Sequence, residues 1–347
     1  MPVVVLFIIF VLLLVIAVPV SITLGITSVL PSICDPSFTV GAKYLIRAMF
    51  GGLDSFPLLA VPMFVLSGII MAKGGISKKL FDVFAYFLGK FTAGMPCAVI
   101  VTCLFYGAIS GSAPATVAAV GSMTIPILTN LGYDLTFSTA IVAVAGGLGV
   151  IIPPSIPFIM YGMESGASVS DLFLAGIVPG LMIGALLMIY AIYHCKRYGE
   201  DKAKIHAEVQ ELHDKGLLKV LKESFFALLS PVIILGCIYS GVASPTEAAV
   251  ISVFYALIIS LFVYKSIHIR DIWGILVEAI RTFTPILFIL AASTAFSRVL
   301  TLMQVPQTVS EFILNNFHSP VAILLIINLF LLIVGMVMDT TPAILIL

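Results

Sequence analysis

Apolar runs broken by short polar interruptions set the pattern of this chain. Val3 to Val18 is apolar, Pro19 interrupts it and Val20 to Leu30 resumes, which fits either one kinked membrane helix or two short ones. In Phe38 to Gly52, Lys43 and Arg47 alternate with Tyr44, Leu45, Ile46, Met49 and Phe50, the pattern of an amphipathic helix lying along an interface. Leu53 to Ala72 reads as a span with Pro57 and Pro62 near its start, followed by a basic connector from Lys73 to Lys90. Pro96 to Ile109 and Pro114 to Leu128 are about 14 and 15 residues long, short of the roughly 20 that a helix needs to cross the hydrocarbon core. Between them stands the polar stretch Ser110-Gly-Ser-Ala-Pro-Ala-Thr116, so two short arms and a polar tip predict a re-entrant hairpin over 96–128.

Phe137 to Tyr161 is long enough to cross but holds Gly146-Gly-Leu-Gly149 and Pro153-Pro-Ser155, which predicts an unwound middle. Leu172 to Tyr193 reads as an ordinary span. Lys196 to Glu223 carries mixed charges at helical spacing and reads as a water-soluble linker helix. Phe225 to Tyr239 and Ala248 to Tyr264 follow as short apolar segments on either side of Ser240-Gly-Val-Ala-Ser-Pro-Thr-Glu247. His268 to Arg281 is again amphipathic, with the single tryptophan, Trp273, where an interface anchor would sit. Phe283 to Leu300 and Pro320 to Met338 are the last apolar segments.

The order of these segments repeats. Val18-Pro19 corresponds to Ser244-Pro245, Pro57 to Pro285, Pro96 to Pro320 and Pro114 to Pro342, at offsets of about 224 to 228 residues. The alignment favours two spans in the first segment. It gives five crossings plus a hairpin in the first half, an odd number that inverts the second half. The expected organisation is a first inverted repeat over 1–195, an amphipathic linker over 196–224 and a second repeat over 225–347.

Composition agrees with a polytopic membrane protein: 61% of residues are hydrophobic and 10% charged, with a mean hydropathy of +1.21. The first apolar run begins at Pro2 with no Lys or Arg before Lys43, so it is expected to stay as a membrane span. Segments 73–96, 196–224 and 265–282 hold 14 of the 17 Lys and Arg residues, which predicts a periplasmic N-terminus and a cytoplasmic linker. The net charge is zero and no long block of one sign occurs, so nothing points to nucleic acid. The five cysteines lack metal-ligand spacing and read as small apolar packing residues.

Candidate chemistry gathers at two polar tips, Ser110-Gly111-Ser112 with Thr116 in the first half and Asp339-Thr340-Thr341 in the second. Hydroxyls and freed carbonyls suit a bare sodium ion, and helix N-termini suit an anion. Small polar residues also serve close helix packing, but their concentration at matching positions favours a site. Asp339 is a carboxylate in an apolar region, where insertion costs about 2.5 to 3.5 kcal/mol, and is functional by default, with a charge at a water-exposed tip as its other reading. Gly146, Gly147 and Gly149 let the backbone turn and present carbonyls, while Pro153 and Pro154 remove donors. Sodium ligands are expected among Ser110, Gly111, Ser112, Gly146, Gly149, Asp339, Thr340 and Thr341; substrate contacts among Ser112, Thr116, Pro153, Ser155, Arg298 and Asp339. Arg298 ends the span before the second tip, with interfacial snorkelling as its other reading. Glu247 reads as a helix-capping acid.

Leu53-Asp-Ser-Phe-Pro-Leu-Leu-Ala-Val-Pro62, Gly107-Ala-Ile-Ser-Gly-Ser112, Gly149-Val-Ile-Ile-Pro-Pro-Ser155, Asp171-Leu-Phe-Leu-Ala-Gly-Ile-Val-Pro-Gly180 and Tyr239-Ser-Gly-Val-Ala-Ser-Pro-Thr-Glu-Ala-Ala249 together resemble the large membrane subunit of tripartite ATP-independent periplasmic (TRAP) transporters. The resemblance covers essentially the whole chain. It implies an all-α integral membrane protein of the bacterial inner membrane, built as an inverted-repeat elevator with re-entrant hairpins and discontinuous helices. It further implies sodium-driven import of an organic acid anion such as a C4-dicarboxylate or sialic acid, with sodium as coupling ion and no other cofactor. A periplasmic substrate-binding protein and a small four-helix membrane subunit are the implied partners. By similarity, Ser110, Gly111 and Ser112 form one sodium site with carbonyls around Gly146 to Gly149, and Asp339 to Thr341 form the other. Thr116 stands where some members carry an acidic residue. Members of the family continue past the second tip, so the C-terminal part of the fold is expected to be missing and the second hairpin cut within its tip at Ala343-Ile-Leu-Ile-Leu347. A binding-protein-independent sodium/dicarboxylate symporter shares the hairpin logic. An intramembrane enzyme is disfavoured, because the serines have no membrane histidine partner and Asp339 no Gly-x-Gly-Asp counterpart.

Overall fold

Backbone N–H and C=O groups in hydrocarbon find no water, so a chain this apolar folds as helices that bond internally. The computed structural model describes residues 3–34, 38, 41–317, 319–336, 340 and 343–344, and among these no strand occurs. In chain order the helices are α1 (Val3–Val15), α2 (Val20–Cys34) and α3 (Ala42–Leu53), a 3₁₀ turn Phe56–Leu59, α4 (Ala60–Lys73), α5 (Ile76–Leu88), α6 (Gly94–Ser110), α7 (Ala113–Asn130) and α8 (Leu135–Gly146). A second 3₁₀ turn, Gly147–Val150, precedes α9 (Ile156–Ser165), α10 (Val169–Tyr198), α11 (Lys202–Asp214), α12 (Leu217–Tyr239) and α13 (Pro245–Ile258). A π-helical turn, Ile259–Val263, then leads to α14 (Asp271–Leu302), α15 (Val305–Asn316) and α16 (Pro320–Gly335). Among the described residues five helical stretches are long and apolar enough to cross a membrane: Phe56–Lys73, Val169–Tyr198, Leu217–Tyr239, Pro245–Val263 and Asp271–Leu302. The protein is thus a multi-pass helical membrane protein.

Two compact units share the chain, one comprising Met1–Leu58 with Thr282–Leu347 and the other Leu59–Arg281. In the first, the early apolar stretch is two helices. A Schellman turn ends α1: Val18 N–H reaches Leu13 O, Ala17 N–H reaches Leu14 O, and Ala17 takes a left-handed φ of 64°. Pro19 then opens α2. Phe10 stacks on Phe296 of α14 at 5.8 Å and Phe7 meets the same ring edge-on at 6.5 Å. Leu45 of α3 packs against Ala295 and Val299. No described side chain of α16 is buried, so this helix is apolar all round without a protein core of its own.

In the unit Leu59–Arg281 the core gathers α4 to α8 and α10 to α13 around side chains such as Met71, Leu80, Met95, Ile100 and Ile109. α13 runs along α4, and its buried side is small: Ala248, Ala249, Ser252 and Ala256. It starts in a capping box, with Ser244 Oγ accepting from Glu247 N–H and the Glu247 carboxylate accepting from Ser244 N–H, the capping role its sequence indicated.

Two expectations need correction. The charged stretch 196–223 is not one solvated helix. Gly199 and Gly216, at φ of 83° and 81°, break it into the end of α10, α11 and the start of α12. Ile205, Val209 and Leu212 share one stripe of α11 and are buried. Val209 lies so close to Gly89 that a β-carbon there would sit 2.6 Å from its methyl, and the His213 ring stacks on Tyr86 at 4.1 Å. Second, His268–Arg281 and Phe283–Leu300 are not separate elements but parts of the single helix α14. Pro285 removes one donor without stopping the helix, and the change in polarity near 282 marks a change of surroundings rather than of backbone.

Glu200, between α10 and α11, fastens the base of the predicted hairpin. Its two carboxylate oxygens accept from Ala93 N–H at 3.0 and 3.1 Å, and one accepts from Tyr133 Oη–H at 2.6 Å. Ala93 precedes α6 and Tyr133 follows α7, so one carboxylate holds the foot of both arms. Burial, and then the bond to Glu200, push the Tyr133 hydroxyl above the ordinary tyrosine range. Next to it, the Asp134 carboxylate caps α8 by accepting from Phe137 N–H at 3.0 Å, which holds it below the usual carboxylate range. Glu200→Ala is expected to cost about 1.5 to 3 kcal/mol, the worth of hydrogen bonds to a charged group. Tyr133→Phe should cost less, because the Ala93 bonds survive. Thermal unfolding in detergent measures both; an unshifted midpoint for Glu200→Ala would show that water serves Ala93 equally well.

Candidate functional site

The hairpin is formed by α6 and α7, joined through Gly111 and Ser112 alone. Gly111 ends α6 in the left-handed region, φ 62°, with its N–H on Gly107 O at 2.9 Å. Ser112 is extended and Pro114 opens the first turn of α7, where a missing N–H costs nothing. The Ser112 hydroxyl makes no capping bond. Thr116 serves the turn instead: its N–H and its Oγ1–H both reach Ser112 O, at 3.0 and 2.8 Å. With that proton committed, the 2.9 Å contact between Ser110 Oγ and Thr116 Oγ1 takes its proton from Ser110, whose oxygen also accepts from Ser112 N–H at 3.4 Å. Ser110 and Thr116 are fully buried and Ser112 half-buried.

Against this tip lies the break between α8 and α9. Pro153 and Pro154, joined by a cis peptide, have no N–H, so Gly149 and Val150 lose the donors that a continuous helix would send to their carbonyls. Val150 O is served instead by Ser155 Oγ–H at 2.6 Å, and the same Ser155 oxygen caps α9 by accepting from Phe158 N–H at 3.4 Å. Gly111 O accepts from Ile156 N–H at 3.1 Å, tying tip to break through the main chain.

Clearances show how tightly the two meet. A β-carbon on Gly107 would lie 2.6 Å from Gly149 Cα; one on Gly111, 2.9 Å from Pro154 O; one on Gly149, 3.0 Å from Ser112 O and against Thr116 Oγ1. Gly147, between them, has open space around it.

The C-terminal ends of α6 and of the turn after α8 thus meet the N-terminal ends of α7 and α9 at one place. Carbonyl ends carry partial negative charge and N–H ends partial positive charge. The oxygens there, Ser110 Oγ, Thr116 Oγ1 and Ser112 O, are neutral and hard, the kind that suits an alkali or alkaline-earth cation, and Gly149 packs against them. The N-terminal end of α7 carries the partial positive charge that suits an anion, whereas the first-turn donors of α9 are spent on Gly111 O and Ser155 Oγ.

Of the residues singled out by sequence, the structure brings Ser110, Gly111, Ser112, Thr116, Gly146, Gly149, Pro153 and Ser155 together. Gly146 is there for space, since a β-carbon would collide with Val117. Arg298 and Thr340 belong to the other unit and are exposed. Arg298 does not end its span, because α14 runs on to Leu302. Asp339 and Thr341, like the repeat landmark Pro342, lie outside the described residues.

Gly107 entered the sequence analysis only within a motif, with no role of its own, and Gly68 and Tyr106 not at all. Gly107 forms with Gly111 a small-xxx-small pair, the spacing that lets backbones approach and the signal that was there to find. Gly68 of α4 backs the tip, with room for a β-carbon only at 3.2 Å from Ser110 Cβ, and the buried Tyr106 donates its hydroxyl to Gly68 O at 2.8 Å. No local pattern links Tyr106 to Gly68.

Residues 7–347 match the family described as tripartite ATP-independent periplasmic transporter, DctM component. An isethionate TRAP transporter permease protein of Oleidesulfovibrio alaskensis is 41% identical over 346 residues, covering 100% of this chain and 53% of that protein. A C4-dicarboxylate TRAP transporter large permease protein of Pseudomonas aeruginosa is 38% identical over 299 residues, 86% of this chain and 69% of the relative. A sialic acid TRAP transporter large permease protein of Vibrio cholerae is 33% identical over 309 residues, 89% and 71% of the two. This chain therefore spans between about half and seven-tenths of the length of these relatives. The neutral oxygen cluster at a two-residue hairpin turn thus stands in a chain that belongs to the large permease family of TRAP transporters.

Proposed function

We propose that the protein is the transport subunit of a sodium-coupled TRAP system that imports a small organic anion across the bacterial inner membrane. The observation that carries this reading is the meeting of two helix C-termini, two helix N-termini and three uncharged oxygens where Ser110–Thr116 packs on Gly149–Ser155. A cation held by the oxygens brings a full positive charge beside two helix N-termini, so cation and anion bind better together than apart. That coupling is what a symporter needs.

Isethionate, C4-dicarboxylates and sialic acid are the compounds named for the three relatives, and all are small organic anions. The proposed partners are a periplasmic protein that delivers the anion and a small membrane subunit that braces the scaffold. An inverted repeat is supported by element order: α1, α2, α3, α4, α5 and α6 are followed in the second half by α12, α13, the two parts of α14, α15 and α16. The clustering of Lys and Arg supports an N-terminus outside and α11 in the cytoplasm. The hairpin and broken helix, fixed to each other by main-chain contact, are the body proposed to move in an elevator cycle.

The test is uptake into proteoliposomes holding the whole protein, its small subunit and its periplasmic protein under an imposed sodium gradient. Ser110→Ala and Thr116→Val each remove one neutral hydroxyl, worth about 1 to 1.5 kcal/mol, and should raise the half-saturating sodium concentration about five- to tenfold. Ser112→Ala should move it less, because the carbonyl of Ser112 and not its hydroxyl joins the cluster. Unchanged sodium dependence in all three, with normal membrane insertion, would remove the cation from this place. Uptake that persists without the periplasmic protein would make it a free-standing symporter instead.

Gly149→Ala forces a methyl onto Ser112 O and Thr116. An overpacking cost of about 1 to 3 kcal/mol should lower uptake tenfold or more. Gly147→Ala, with nothing within 4 Å, should leave uptake near normal. Equal uptake by the two variants would show that the tip and the break are not in contact during transport.

A further inference from the structure

Beyond the hairpin, the elbow that joins α13 to α14 is built as a rigid groove. The π-turn Ile259–Val263 widens the end of the helix, and Tyr264 N–H closes it on Ile259 O at 2.8 Å. Lys265 then reverses the chain at a left-handed φ of 50°. Ser266 anchors the elbow to the end of α4 by donating its hydroxyl to Gly74 O at 2.8 Å, and Ile267 is buried beneath it. His268 N–H reaches the Asp271 carboxylate at 2.8 Å and Asp271 N–H returns to His268 O at 2.9 Å, which fixes the start of α14.

The groove is open to its surroundings and measures 570 Å³, within the roughly 300 to 1,000 Å³ of small-ligand pockets, and is lined by Leu261, Phe262, His268, Ile269 and Arg270 as well as Ile267 and Asp271. Its two kinds of surface do not match water alone. Phe262, Ile269 and Trp273 are 71%, 79% and 75% exposed. Yet Lys265 and Arg270, exposed in the same elbow, have no acidic partner within ion-pair distance among the described residues. Asp271 is occupied by the His268 N–H and stands 3.7 Å from its ring nitrogen, so it leaves Arg270 uncompensated.

We propose that this groove binds an acidic phospholipid, its phosphodiester on Arg270 with Lys265 adding charge, and its acyl chains along Phe262 and Ile269. An arginine fork matches a phosphate, exposed apolar side chains match acyl chains, and a tryptophan one turn on matches the interface between them. In a membrane protein these three features in one elbow have a single common occupant. A soluble phosphate ester shares the head-group chemistry but leaves the apolar wall in water.

Trp273, the one tryptophan of this sequence, is the probe. The whole protein, with Trp273 as its sole tryptophan, is placed in bilayers containing dibrominated phosphatidylglycerol or dibrominated phosphatidylcholine of the same chains. Phosphatidylglycerol is expected to quench half-maximally at a mole fraction about threefold lower or less. Arg270→Gln should lose part of that preference and Lys265→Gln/Arg270→Gln nearly all, with phosphatidylcholine quenching unchanged in both. Equal quenching by the two lipids in the unaltered protein overturns the proposal, as does a preference that both variants keep. Loss of the preference on adding millimolar inorganic phosphate at constant ionic strength would assign the groove to a soluble phosphate instead.

Discussion

A backbone carbonyl without a donor is costly in a dry interior, and the unit Leu59–Arg281 is arranged around that constraint. Breaking the α8–α9 helix at Pro153 and Pro154 strips the donors from Gly149 O and Val150 O. Each repair brings in something else: Ser155 returns across the break to Val150, and Ile156 offers its N–H to Gly111, a residue of another helix pair. The hairpin tip is therefore partner to the break and not merely its neighbour. The contact is close enough to exclude side chains, which is why Gly107 and Gly111 face backbone, and Gly149 the Thr116 hydroxyl, at distances no β-carbon tolerates.

The supports behind the tip follow from the same need for fixed geometry. Two residues of turn give α6 and α7 little freedom at the top, and Glu200 holds their lower ends through Ala93 and Tyr133. Tyr106 bonds α6 to α4 behind Ser110. The charged segment α11 joins this body through Ile205, Val209 and Leu212, so the residues that divide the two halves of the sequence belong, in space, to the hairpin unit.

Much of this was readable from local pattern. The hairpin arms, expected at 96–109 and 114–128, extend one or two residues further at each end, and the break fell where glycines and prolines indicated it. Glu247 capped as the Ser-Pro-Thr-Glu motif required. Pattern failed where polarity and backbone part company. The charges of 196–223 suggested solvation, while a stripe of three apolar residues decided the packing; the polar start of α14 suggested a separate helix, while the backbone continued through Pro285. Contacts that depend on distance in sequence were not readable at all. Glu200 and Ala93 are 107 residues apart, and nothing near either announces the other. Arg298 looked like a terminal cation because the apolar run stops just past it at Leu300, but α14 continues to Leu302, a full turn beyond Arg298.

The cluster at Ser110–Thr116 draws one of its three oxygens, that of Ser112, from the main chain. A main-chain oxygen is specified by no particular codon: every residue at that position supplies one. Mutation reaches it only through volume, as when a β-carbon on Gly149 would press on it. Side chains around the cluster are free to diverge, while the main-chain oxygen keeps its place as long as small residues stay small.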